Sequence, residues 1–431
     1  MKSSTFSSDF IQIGPNLTKA IIKIPTDLVK KFYKHAARNH MNKINTSGFS
    51  RGTIPIEYIE QNFKQNILNH LKEFFLKYFV VSFLYRELRA KKIVTAGEPR
   101  LTNSFAYPEK EAEYHFEIST IQFPLAKEWK YISFRAPKRK GYKGIDKQAA
   151  DFLKEEKDKE DSISNRDVQV GDWVSFAITL VDSELKPVFE NLKETYWLKI
   201  GNEETAISFQ EVFLNRKLGE KFYSNHICFQ DFFNTEQETH CNFLIEIISI
   251  LHQGFFSVEK FKDHFKIKTN KKTHQKMVEV FSFKDDLSLR RSIIDGTFNT
   301  LFHSYHIEAP SSCVLRQQQI ILDNLQYNPD YAVYKSESGF QDHVKKLAER
   351  QVKEAAFMEL LAYYEELQIE DVDVENYLNL TQRLRTKDFI HFSHPAIHAN
   401  QDEYPILTEP LKQVCLREKA LNHAIFHLTK E

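Results

Sequence analysis

The chain predicts an α+β multidomain protein, and three observations carry that expectation. Its first 135 residues alternate short strands with two amphipathic helices. A second strand-rich texture opens at Gly171-Asp172, and from Phe255 onward the periodicity is helical. The predicted segments are 1–135, an α+β domain; 136–165, a linker; 166–252, a small antiparallel β domain with a short helix; and 253–431, an all-α domain. At 431 residues the chain is long enough for several real cores.

In chain order, Leu17 to Ile24 alternates as a strand, with Ala20, Ile22 and Ile24 on one face and Lys19, Ile21 and Lys23 on the other. Pro25-Thr26-Asp27 opens a helix with Leu28, Val29, Phe32 and Ala36 on one side, Thr26 being the expected N-cap. Thr53 is the expected cap of a second, long helix with Pro55 in its first turn. That helix carries Ile56, Ile59, Phe63, Ile67, Leu71, Phe75, Phe79 and Phe83 at three-to-four spacing. Between the two helices lies Gly48-Phe49-Ser50-Arg51-Gly52-Thr53-Ile54-Pro55. Its glycines permit backbone angles closed to other residues, so an apolar ring and a cation can be displayed at the tip of a helix pair.

Strands are next expected at Tyr114 to Ile118 and around Tyr131 to Phe134. Pro137 to Gly141 and the mixed charges of Lys154 to Asp161 read as a solvated connector. Val174 to Leu180, Tyr196 to Ile200 and Phe243 to Leu251 read as strands, with a helical turn near Ser208 to Leu214. Ser288 to Leu301, Ser311 to Leu325, Asp342 to Leu367 and Thr408 to Leu428 read as helices. The last has Thr408 as cap and Pro410 in its first turn.

Charge narrows the function. Lys plus Arg equals Asp plus Glu at 59 each, which argues against a dedicated nucleic-acid binder. A local basic patch of Lys30, Lys31, Lys34, Arg38, Lys43 and Arg51 still accompanies the glycine-flanked loop. Four separated cysteines, Cys228, Cys241, Cys313 and Cys415, fit reduced thiols. The start lacks the apolar core of a secretory signal, and the most apolar run, Phe74 to Tyr85, is too short to span a bilayer and contains Lys77. A soluble, cytoplasmic protein with no membrane partner is expected.

The pattern Gly48-Phe49-x-x-Gly52-x-x-Pro55, set between one helix and a longer one, resembles the ribosome-binding signature of the trigger factor family. The resemblance continues, with gaps, over nearly the whole chain. It implies an N-terminal ribosome-binding domain, an FKBP-like peptidyl-prolyl isomerase domain and a helical C-terminal chaperone domain with arms. The implied ribosome-binding residues are Gly48, Phe49, Ser50, Arg51, Gly52 and Pro55. The implied partners are the large ribosomal subunit, through protein and rRNA at the tunnel exit, and nascent or unfolded polypeptides. Ser50 and Thr53 stand where basic residues are common in the family, so weaker docking is expected.

Markers of the FKBP-like segment are Gly171-Asp172, Phe189-Glu190, Gly201, Phe209 and Leu218-Gly219-Glu220. An X-Pro amide turns through a barrier of ~18–20 kcal/mol, which a dry aromatic pocket lowers by favouring the twisted amide. The family pattern is met at Phe209 and Phe243, with Phe233 in place of a flap tyrosine. It is broken at Ala177, Ile178, Ala206 and Ile207-Ser208. No confident catalytic residue emerges, ordinary core packing competes as the role of the three rings, and weak or absent isomerase activity is expected. Helical aromatics such as Phe340, Phe357, Tyr363 and Tyr364 are candidate client contacts.

No nucleotide-binding or hydrolase motif occurs, so neither cofactor nor ATP is expected. His391, His394 and His398 have metal-like spacing that Pro395 interrupts, and His226/Cys228 with His240/Cys241 lack a Cys-x-x-Cys knuckle, so no metal is expected. The expected function is an ATP-independent, ribosome-docked chaperone. The alternatives are an active prolyl isomerase and a chaperone working mainly off the ribosome, as a homodimer or assembly factor.

Overall fold

In the computed structural model, the residues described are 6–41, 48–50, 52–121, 124–125, 127–137, 144–163, 166–189, 192–201, 209–233, 241–282, 289–326, 329–398 and 403–429. The N-terminal part comprises β1 (Ser7–Gly14), β2 (Leu17–Ile24), α1 (Thr26–Met41), α2 (Ile56–Asn62), α3 (Lys64–Phe75), α4 (Val81–Ala90), β3 (Arg100–Phe105) and β4 (Ala112–Ser119). Its antiparallel sheet runs β1-β2-β4-β3. The apolar row read from the sequence lies inside, with Ala20 opposite Phe116 and Ile22 opposite Tyr114.

The long second helix is not continuous. It starts at Ile56 with Pro55 as N-cap and breaks at Phe63, where φ is −117 and ψ is 12. After α3 it widens into a π-helical turn, Leu76–Val80, before α4. Thr53 is not its cap, because the hydroxyl donates instead to the Ser50 carbonyl at 2.8 Å. Thr26 likewise begins α1, and the Pro25 carbonyl accepts the amides of Leu28 and Val29.

The expected strand at Tyr131 to Phe134 is absent. A 3₁₀ turn, Lys127–Tyr131, takes its place because the fully buried Trp129 needs an acceptor for its indole N–H, which it finds in Glu365 Oε1 at 3.0 Å. The charged connector contains α5 (Ile145–Ile163), which packs against the C-terminal helices through Ala149 and Phe152.

The second sheet is built from β5 (Trp173–Val181), β6 (Glu194–Lys199), β7 (Lys221–Ser224) and β8 (Asn242–Leu251), with α6 (Gln210–Phe213) and α7 (Ile227–Phe232) between them. The C-terminal part supplies α8 (Val258–His264), α9 (Asn270–Ser282), α10 (Leu289–Ser304), α11 (Ser311–Leu325), α12 (Tyr331–Ser336), α13 (Phe340–Tyr364), α14 (Asp371–Asn379), α15 (Leu384–Lys387), α16 (Pro395–His398), β9 (Ile406–Leu407) and α17 (Thr408–Leu428). The sheet order is β7-β8-β5-β6-β9, so two residues from near the C-terminus extend the middle sheet. Thr408 is the first residue of α17 rather than its cap, and its buried hydroxyl has no hydrogen-bond partner among the described residues.

One hydrophobic core crosses the expected boundary between segments 1–135 and 166–252. It joins α1, α3 and the inner face of the first sheet to Phe176, Phe189, Tyr196, Phe213 and Phe243. A second core holds α10, α13 and α17 together. Among the described residues no helix is long and apolar enough to cross a membrane.

Candidate functional site: docking tip and aromatic pocket

The tip is a tight turn at one end of the α1–α2 pair. Thr53 donates its amide to the Ser50 carbonyl at 3.1 Å and its hydroxyl at 2.8 Å, so one oxygen closes the loop twice. Gly48 and Gly52 take φ of 93 and 80, in the left-handed region that disfavours other residues. Among the described residues no atom lies within 4 Å of where a Gly48 Cβ would sit, so the backbone angle, not crowding, requires glycine there.

Gly48, Phe49, Ser50, Gly52 and Pro55 are all exposed, and Ile54 is sunk into the core as the anchor. The Phe49 ring is 39% exposed and leans on Tyr58 at 5.3 Å, which limits its freedom without hiding it. Lys30, Lys31, Lys34 and Arg38 line the solvent side of α1. Arg51 and Lys43 lie outside the described residues.

The three isomerase-pocket candidates do come together. Phe233 and Phe243 are 5.3 Å apart, and Phe229 bridges Phe209 at 5.2 Å to Phe243 at 5.7 Å. They are shut away from solvent among the described residues: Phe209 is 5% exposed and the other two are fully buried. What fills the space is the run Phe74 to Tyr78. Phe74 sits 5.3 Å and Tyr78 5.8 Å from Phe233.

Polar groups fix the run in place. The Tyr78 hydroxyl donates to the Ile178 carbonyl at 3.0 Å and accepts from the Leu180 amide at 3.1 Å, completing the β5 ladder just where β6 leaves off. Lys77 Nζ donates to the Phe232 carbonyl at 2.7 Å, and Tyr196 donates to the Lys77 carbonyl at 3.1 Å. Ala177 lies on the opposite face, beside an open depression of ≈ 420 Å³ lined also by Thr179, Pro187 and Leu244. Ala206, Ile207 and Ser208 lie outside the described residues.

The other sequence candidates are placed as follows. Phe340, Phe357 and Tyr363 are buried, and of the four aromatics only Tyr364 is exposed. His391 binds Glu354 at 2.9 Å, and burial pushes His394 down to about 4, leaving it neutral. His226 spans Glu211 at 2.9 Å and Cys228 at 3.1 Å. Burial pushes the Cys228 thiol up to about 12, so it carries no nucleophile. The side chains of His240 and His398 are outside the described residues, and among the described ones no group of three metal-ligating side chains forms.

Sequence reasoning missed an exposed apolar surface. α11 and the first half of α13 form a hairpin joined by Gln317 to Gln351 at 2.8 Å and Gln318 to Gln341 at 3.2 Å. Only the base of α11 is buried, at Cys313 and Val314, while Leu315, Ile320, Val333, Tyr334 and Leu347 are exposed along the hairpin. Arg316 pins that base to Ser119 at 3.0 Å. Next to it, an open cleft of ≈ 590 Å³ lies between Lys91–Val94, Thr120, Pro124 and Leu360. The available signal was the run of apolar residues on α11 with glutamines, not apolar partners, beside them.

Residues 8–141, which contain the tip, match the family model described as bacterial trigger factor protein (TF). A trigger factor of Geobacter metallireducens is 22% identical over 93% of this chain and 96% of its own length. The chain is a divergent relative of the trigger factors. A trigger factor of Campylobacter jejuni subsp. jejuni is 24% identical over 47% of this chain and 45% of its own length. A solved trigger factor chaperone, described for promiscuous substrate recognition in folding and assembly, aligns over 97% of this chain and 99% of its own. That alignment has 13% identity and a TM-score of 0.36, too loose to carry positional correspondences. The trigger factor matches support a chaperone role.

Proposed function

We propose that this chain is an ATP-independent chaperone that docks on the large ribosomal subunit through its glycine-flanked tip and holds nascent or unfolded segments on the α11–α13 hairpin. The observation that carries the reading is the exposed Phe49 on the Gly48–Gly52 turn, inside the stretch that matches the trigger factor model. Substrate holding needs exposed apolar surface with no fixed shape and polar neighbours, and the hairpin offers it. Arg51 would meet rRNA phosphate or an acidic side chain, a charge-assisted contact.

Burying the rest of the Phe49 ring and forming one charged hydrogen bond are each worth roughly 1–3 kcal/mol. The Phe49→Ala/Arg51→Ala chain should therefore pellet with ribosomes at least about 30-fold more weakly than wild type. Unchanged co-sedimentation of the double variant would sink the docking assignment. The main competitor is a chaperone acting off the ribosome. Ser50 and Thr53 favour it, because the Thr53 hydroxyl is spent on the Ser50 carbonyl and neither position offers a cation. Sedimentation velocity separates the two: a homodimer that ignores added ribosomes supports the competitor. Isomerase activity is the weaker reading, since Phe209, Phe233 and Phe243 touch one another and the chain's own helix instead of solvent.

A further inference from the structure

We propose that the face of the second sheet that meets Phe74–Tyr78 is a recognition site for an aromatic amphipathic helix, and that α3 with its π-helical turn is a releasable occupant of it. The face is furnished for a helix: Phe233 and Tyr196 make the apolar floor, and the Ile178 carbonyl, the Leu180 amide and the Phe232 carbonyl present polar anchors to one side of Phe74–Tyr78. The segment is held from its other side as well, because the Tyr114 hydroxyl of the first sheet donates to the Lys72 carbonyl at 2.9 Å.

Two features mark the contact as separable, unlike a permanent core. Polar and ionisable groups are enclosed in it: the Tyr78 and Tyr196 hydroxyls and the Glu194 carboxyl of β6 are buried, Glu194 meeting the half-exposed Arg86 of α4 at 2.9 Å, and the half-buried Lys77 reaches the Phe232 carbonyl. Surfaces that never part are apolar like a core, because desolvating a charge costs free energy that its partner seldom returns in full. The backbone also leaves regular α-helix at Leu76–Val80, where the anchors engage, and single π turns recur at functional segments. A stable core would be served better by an unbroken helix and apolar side chains.

The site's ligand class is therefore a helix with aromatic residues one turn apart and a phenol positioned to bridge a carbonyl and an amide. The probe is a labelled synthetic peptide of residues 64–80 of this chain with a solubilising tail, so the test does not depend on any client. Fluorescence anisotropy would compare its binding to the full chain, to Tyr78→Phe, which loses both β5 hydrogen bonds, and to Arg86→Ala, which changes a partly exposed residue.

Wild type should bind the peptide weakly because its site is filled. Each variant should bind at least tenfold more tightly, and a Tyr78→Ala peptide should not bind. Hydrogen exchange at the Leu180 amide should rise in Tyr78→Phe and fall again on adding peptide. The proposal is overturned if Leu180 exchange is unchanged in both variants, if it rises without tighter peptide binding, or if the Tyr78→Ala peptide binds equally well.

Discussion

Glu194 is held inside the molecule with its carboxylate 2.9 Å from Arg86, and burial raises its pKa to about 7 despite that cation; Glu409 adds to the rise. The folded state therefore keeps a proton that the unfolded chain releases nearer the ordinary carboxylate value. Between about pH 4.5 and 7 the native state binds more protons, so stability falls as pH rises through that window and is level above it. Glu194→Gln should remove that slope, which is worth about 3 kcal/mol at most. Urea denaturation at pH 5 and pH 8 measures it, and equal slopes in wild type and variant contradict the assignment. Nothing in the sequence marked Glu194, since its environment is assembled by Arg86 from 108 residues away.

Elements with one apolar face and one solvated face were legible. The strand at Leu17–Ile24 and the helices at Ser311–Leu325 and Thr408–Leu428 occupy their expected spans. β1 and β3 escaped because they are edge strands, exposed along most of their length, and show little alternation. The caps were misread for a related reason: a threonine before a helix can turn its hydroxyl elsewhere, as Thr53 does toward Ser50, and local pattern does not say where. The continuity of the second helix was overread, since an apolar stripe persists through both the Phe63 break and the π turn. Thr408 yields an element-level prediction. Its buried hydroxyl has no partner among the described residues, so Thr408→Val keeps the shape, removes a polar group and should leave α17 unharmed or stabilise it by about 1 kcal/mol. A Tm lowered by several degrees would show that the hydroxyl is bonded in solution.

At the scale of the molecule, composition and periodicity anticipated the three textures but not their fusion. Tyr78 reaches a strand 100 residues away, and the shared core of the first two segments depends on such contacts. With α3 seated, the fusion sets the bearing of the tip, because α1 is packed through Phe32 against Phe189, 6.2 Å away on the far segment. The hairpin is tied to the same body through Arg316, so the tip and the exposed apolar helices are carried by one connected frame. Under the proposed function the molecule works by two surfaces, one to tether and one to hold. A photo-crosslinking residue installed at position 49, compared with one at the exposed Leu218 of the second segment, tests the tether directly. The account predicts large-subunit crosslinks from position 49 that disappear when unlabelled wild-type protein competes, and few from position 218. No ribosomal crosslink from position 49, or equal yields from the two positions, would contradict it.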